Sequence, residues 1–294
     1  MRPGRTRGRA CGPLLACLPL CALALAAAAE GEPLRLRYGW SPGQVWRATH
    51  RIERETRVGD DVQRTRGVAR FEYVVGAAEP DGSMHLDVRL LSQETEAGAS
   101  PLDFSAIAFH ASIDARGRLR GAHYEIGDTL PASAPDPVAT RQLLRQVASA
   151  WRDSVFWFPE LPDRALAPGD AFSVDETRDL ADAEPGVSMR VRTTRSYRLV
   201  SLDASTAHFR VEEVSAVDAA TAESGIASQQ RAEGEAVFDL ALGMWTGQHL
   251  DSSQRARYSG ASGVGGGAGE ATGSTRSELE MERVEPPTQP AAPR

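Results

Sequence analysis

Four large rings fall within eight residues of this 294-residue chain: Trp151, Phe156, Trp157 and Phe158. Aromatic residues make up only 6% of the sequence, so this cluster is where an apolar ligand would be held. The same rings would equally plug the concave face of a sheet, and both readings stay open. The six histidines (His50, His85, His110, His123, His208 and His249) show none of the spacings of a metal-binding helix or turn. No metal site is expected from them. A G-x-S-x-G elbow is absent, and a Ser-His-Asp set is a spatial signature that sequence alone does not reveal. Glu94, Glu96, Glu176 and Asp179 read as carboxylates on exposed strand faces. The glycines of "GVGGGAG" (Gly263 to Gly269) lack the following helix and the lysine of a phosphate loop, since the chain contains no lysine at all. No cofactor and no catalytic residue are therefore expected.

The elements that would position these residues are mostly strands. Leu34 to Tyr38 alternates apolar and charged residues, as a strand with one wet face does. Trp46 to Val58, Val62 to Val75, Ser83 to Gln93, Phe104 to Asp114 and Leu119 to Glu125 follow, separated by turn residues such as "EPDG" at Glu79 to Gly82. The period then changes. Asp136-Pro137 supplies an N-cap and an N1 proline, and Leu144, Val147, Ala148, Trp151 and Val155 form a helical stripe. Pro159 and Pro162 end it. Strands return over 171–175, 187–202, 206–217, 226–242 and 245–258. Residues 259–273 read as a mobile Gly-rich loop, 276–284 as a last strand and 285–294 as a Pro-rich tail.

The first 29 residues read as a secretory signal. Arg2, Arg5, Arg7 and Arg9 precede the apolar run Pro13 to Ala26, and Ala27 to Ala29 offers the cleavage site. All three cysteines (Cys11, Cys17 and Cys21) lie inside it, so the exported chain would have no disulfide. Lipidation at Cys17 is the alternative. Export would leave 29 arginines against 40 carboxylates, a net charge of −11 in place of −7. Such acidity argues against nucleic acid and anionic membrane surfaces as partners. A periplasmic or secreted location follows, with no membrane span after signal removal. An outer-membrane barrel is rejected because the strands carry many arginines and acids.

"WSPGQVWRA" (Trp40 to Ala48) and "LAPGDAFSV" (Leu166 to Val174) repeat one another 126 residues apart. The offset pairs Gly43 with Gly169, Trp46 with Phe172, Phe71 with Tyr197 and, after a three-residue deletion, His85 with His208. "FHASID" at Phe109 likewise matches "FDLALG" at Phe238. Pro-Gly makes a corner, and the aromatic after it anchors a strand in the core. The expected fold is mainly β: duplicated antiparallel, curved half-barrel-like units over 30–135 and 161–284, joined by one amphipathic helix and aromatic segment over 136–160.

With its Pro-Gly-x-x-aromatic openings and "FPELPDRALAPGDAF", the chain is similar to a family of uncharacterised exported bacterial proteins. More loosely it resembles the half-barrel sheets of lipoprotein carriers, in which a helix lies across the concave face. That resemblance implies architecture, with ligand binding as a fold-level analogy. Three function classes stand: a non-catalytic envelope protein binding a lipid or other apolar molecule, an envelope scaffold that meets another protein, and a hydrolase of unrecognised type.

Overall fold

The computed structural model describes residues 33–96, 98–99, 104–127, 136–152, 155–179, 188–220, 224–260 and 269–285. The expected signal segment, residues 261–268 of the Gly-rich loop and most of the tail lie outside them. The strands are β1 (Val45–Val58), β2 (Asp61–Ala78), β3 (Met84–Thr95), β4 (Gly98–Ala99), β5 (Ile107–Ile113) and β6 (Leu119–Ile126). One α-helix, α1 (Pro137–Trp151), separates them from β7 (Ala171–Asp179), β8 (Ser188–Leu202), β9 (Thr206–Ala220), β10 (Ser224–Asp239), β11 (Met244–Gly260) and β12 (Gly269–Val284).

Eleven strands form one antiparallel sheet in the order β6-β5-β3-β2-β1-β12-β11-β10-β9-β8-β7, and the short β4 pairs with β3. Each half is a meander. The first strand of the first meander, β1, pairs along its whole length with the last strand of the second, β12. The sheet is therefore continuous across the two halves.

The helix forms where its caps place it. The Asp136 carboxylate accepts the backbone N–H groups of Val138 and Ala139 at 2.9 and 3.1 Å, and Pro137 occupies the first turn. Leu144 and Ala148 are buried along the apolar stripe. The helix ends at Trp151, so Val155 packs from the following segment.

The two Pro-Gly corners have the same construction. The Gln44 N–H donates to the Ser41 carbonyl and the Asp170 N–H to that of Ala167, closing four-residue turns around Gly43 (φ 82°) and Gly169 (φ 95°). Only glycine takes that φ freely after proline in such a turn. Gly43 N–H then donates to Val75 and Val75 N–H to Gln44; Gly169 and Leu199 repeat the exchange with Asp170. Trp46 sits opposite Tyr73, and Phe172 opposite Tyr197. The expected match of Phe71 with Tyr197 is thus two residues out of register. Along the next strands Val75 faces Leu86 while Leu199 faces Phe209, which puts His85 and His208 at matching positions. The match of Phe109 with Phe238 shifts by four, because Ile113 faces Met84 as Phe238 faces Ala207.

Two other expectations change. Leu34 to Tyr38 is no sheet strand; it makes a single bridge to Leu166, and Tyr38 and Gly39 donate singly to the Ala115 and Gly243 carbonyls. Its alternation is real, with Leu36, Tyr38 and Trp40 buried, but it is used to cross one end of the concave face. The last strand starts at Gly269, seven residues earlier than expected. Gly269, Ala271 and Gly273 alternate inward with Glu270, Thr272 and Ser274 outward, so small residues hide a strand period that bulkier ones would display.

Candidate functional site

The concave face is filled at the end of the tight turns and hollow farther along the same strands. Residues 33–44 and 155–168 cross the filled end. There Tyr38 stacks on Trp40 at 5.4 Å, Phe158 meets both rings edge-on, and Trp245 contacts Phe209 and Phe238 at 5.2 Å each. Beyond this layer lies a cavity of about 450 Å³. Its walls come from β1, β2, β3, β8, β9, β10, β11 and β12. On a flat sheet β3 and β8 would stand about 34 Å apart, seven strand spacings, so the sheet wraps around the hollow.

The connector supplies the remaining wall. Trp151, Val155 and Trp157 line the cavity, whereas Phe156 and Phe158 are buried in the core beside it. The aromatic cluster is therefore split between lining and packing. Trp46 and Phe172 also belong to the core, Trp46 wholly buried and Phe172 partly so because β7 is an edge strand. Two phenols clamp the connector. Tyr73 Oη donates to the Val155 carbonyl at 2.9 Å, and Tyr38 Oη donates to that of Pro159 at 3.0 Å while accepting from Trp245 Nε1 at 2.9 Å. Burial raises both phenol pKa values, so each remains a neutral donor.

Across from the tryptophans the lining turns polar. Arg195 on β8 and Glu213 on β9 are paired, with Nε 2.6 Å from Oε2. Burial works against the Arg195 charge, but Tyr197 and Glu213 outweigh it and hold the guanidinium above its ordinary range. His50 on β1 is pushed below its ordinary value by burial, so it is neutral at neutral pH. Gln248, Leu279 and His50 stand in one row across β11, β12 and β1. Gln248 Nε2 is buried without a hydrogen-bond partner, a donor free for a ligand atom. The hollow thus offers apolar walls, one fixed ion pair and an unused amide donor. Among the described lining residues, Ser252 Oγ donates to the Thr275 carbonyl.

None of these polar residues was legible as a site. Arg195 and Glu213 lie 18 positions apart among many alternating charges, and only the β8–β9 register brings them face to face. Their one sequence signal is position: both occupy the inward phase of strands whose other charges point outward. Glu94 and Glu96 lie outside the cavity and pair with Arg70 and Arg66.

The convex face carries such pairs throughout, including Arg51–Glu280, Arg47–Glu72 and Arg276–Asp251. A spanning barrel needs an apolar band there. Among the described residues no helix is long and apolar enough to cross a membrane.

No protein-family model and no curated protein matches the chain. Among solved structures it is similar to OccK10 (OpdN) of Pseudomonas aeruginosa, at 8% identity over 83% of this chain and 100% of that one, with a TM-score of 0.20. A porin variant of Rh. blastica gives 7% identity over 81% and 100%, with a TM-score of 0.21. OccK11 (OpdR) of P. aeruginosa gives 7% over 85% and 100%, with a TM-score of 0.19. Likenesses this weak carry no argument about fold or function.

Proposed function

We propose that this chain is an exported, non-catalytic protein of the cell envelope that binds a lipid or another apolar small molecule in the hollow of its curved sheet. The carrying observation is the cavity of about 450 Å³ beside Trp151 and Trp157, a size within the usual range for small-molecule sites. An apolar chain would lie against the tryptophans, Leu250 and Leu279. A carbonyl or carboxylate head would take the free Gln248 amide. The net charge of −11 that export would leave supports the exclusion of nucleic acid as a partner. Export rests on the N-terminal segment, with attachment through Cys17 as the alternative.

We further infer that the sheet is a tandem of two equivalent meanders. The paired corners, the Trp46–Tyr73 and Phe172–Tyr197 anchors and the matched positions of His85 and His208 support that reading.

The test is titration with an environment-sensitive apolar dye, followed by displacement with a single-chain fatty acid. One saturable site per chain, emptied by the fatty acid, is the expected result. No saturable binding rejects the proposal in favour of a filled scaffold.

A further inference from the structure

Three of the six histidines meet on the convex face, on the side of the sheet opposite the cavity. His85 and Asp87 stand two apart on β3 and so share a face. Register sets Asp87 against His110 on β5, and His110 against His123 on β6. His85 Nε2 lies 3.0 Å from Asp87 Oδ1, and His110 Nδ1 lies 2.6 Å from the same oxygen. One ligand atom from each of the three falls within 4.8 Å of the others. Donors on a tetrahedral ion with arms of about 2.0–2.1 Å stand roughly 3.3 Å apart, so the His85–Asp87 separation of 3.0 Å is close to that spacing and the His110–Asp87 pair must open by several tenths of an ångström to admit an ion.

A plain hydrogen-bonded chain accounts less well for His110. If Nδ1–H donates to Asp87 in the neutral ring, Nε2 is left as a lone pair. That nitrogen is buried without a hydrogen-bond partner, and Glu125 Oε2, an acceptor, lies 3.9 Å from it. An ion at Nδ1 reverses the tautomer. Nε2 then carries the proton and directs it toward Glu125, the carboxylate-behind-histidine arrangement typical of metal ligands. The three rings sit side by side on this face, His110 with its centroid 5.9 Å from that of His85 and 5.1 Å from that of His123. Gly76 on β2 makes room for His85, since a Cβ there would lie 3.1 Å from the His85 Cβ.

We propose that His85, Asp87 and His110 bind one divalent ion of the zinc class, through Nε2, Oδ1 and Nδ1 respectively. Two imidazoles and a carboxylate are the donor chemistry of such ions. Three protein ligands leave a fourth position open to water or to a donor from outside, and the site lies one strand from the sheet edge at β6.

The chain, stripped with a chelator, is titrated calorimetrically with Zn²⁺ and followed by absorption with Co²⁺. One ion per chain is expected, with the visible bands of low-coordinate Co²⁺. His85→Ala, Asp87→Asn and His110→Ala should each weaken binding at least tenfold, and Glu125→Gln severalfold. His249→Ala, which removes another surface His–Asp pair at 3.1 Å, should leave it unchanged. His85 is half-exposed, so its variant keeps the fold even where His110→Ala does not, and near-UV circular dichroism checks this. No binding by the parent chain, or equal affinity in His85→Ala and Asp87→Asn, overturns the proposal. So does a loss in His249→Ala as large as theirs.

Discussion

The two ends of the concave face use the same strands for opposite purposes. Near the tight turns, inward positions carry Trp46, Tyr73, Phe209, Phe238 and Trp245, and two chain segments close over them. Farther along, the inward positions become Gly67, Ala69, Ala232, Ser252, Thr275 and Ser277, around a hollow. The same strands run through both ends, and the side chains at these inward positions become smaller toward the hollow. The filled end therefore carries the stability, and the hollow end is free to hold something else. In a chain without disulfides among its described residues, that division leaves the filled end as the close-packed part of the core.

The sharpest way to break this comparison is to truncate one residue at each end. Trp245→Ala removes a fully buried ring and the hydrogen bond to Tyr38, and should cost about 3–5 kcal/mol in urea unfolding. Ser277→Ala at the hollow end should cost less than about 0.5 kcal/mol. Equal costs would mean that the hollow is part of the core. Next in size is the ion pair. Glu213→Ala leaves Arg195 unpaired in a largely buried position and should cost about 3 kcal/mol. Replacing both with apolar residues of similar volume should recover most of that loss, because the pair itself contributes little net stability.

Smaller effects probe the boundary between the ends. Tyr73→Phe deletes the donor to the Val155 carbonyl and should cost about 1–2 kcal/mol. It should also loosen Trp157, seen as lower fluorescence anisotropy, while Ser252→Ala should not. The smallest expected effect is a pH dependence. His50 is held below its ordinary 6.5 by burial, so below that pH the unfolded chain binds more protons there than the folded one. Stability should fall as pH drops through the unfolded value, levelling once folded His50 titrates. The change in urea midpoint between roughly pH 7.5 and 5 should shrink in His50→Gln.

Much of the fold was legible in the sequence. Period-two alternation located most strands, and Asp136-Pro137 with its apolar stripe located the helix. The two Pro-Gly corners were readable because a turn of that kind depends on a few adjacent residues. Long-range register was not readable. The offset of Phe71 against Tyr73 is set by hairpin length, because 27 positions separate Trp46 from its partner Tyr73 and 25 separate Phe172 from its partner Tyr197, both across unbulged pairings. The site suffered most from this. Trp151 and Trp157 were found because aromatic clustering is local. Arg195, Glu213, His50 and Gln248 were missed because each is an ordinary polar residue until four different strands set them around one hollow.

The proposed binding of an apolar molecule in that hollow is tested most directly by closing it. Ala232 is buried on β10 and lines the cavity, so Ala232→Phe places a ring inside it. Titrated with the apolar dye beside the parent chain, this variant should lose at least tenfold in affinity, with its urea midpoint shifted little. Unchanged dye binding in a folded Ala232→Phe chain would contradict the account.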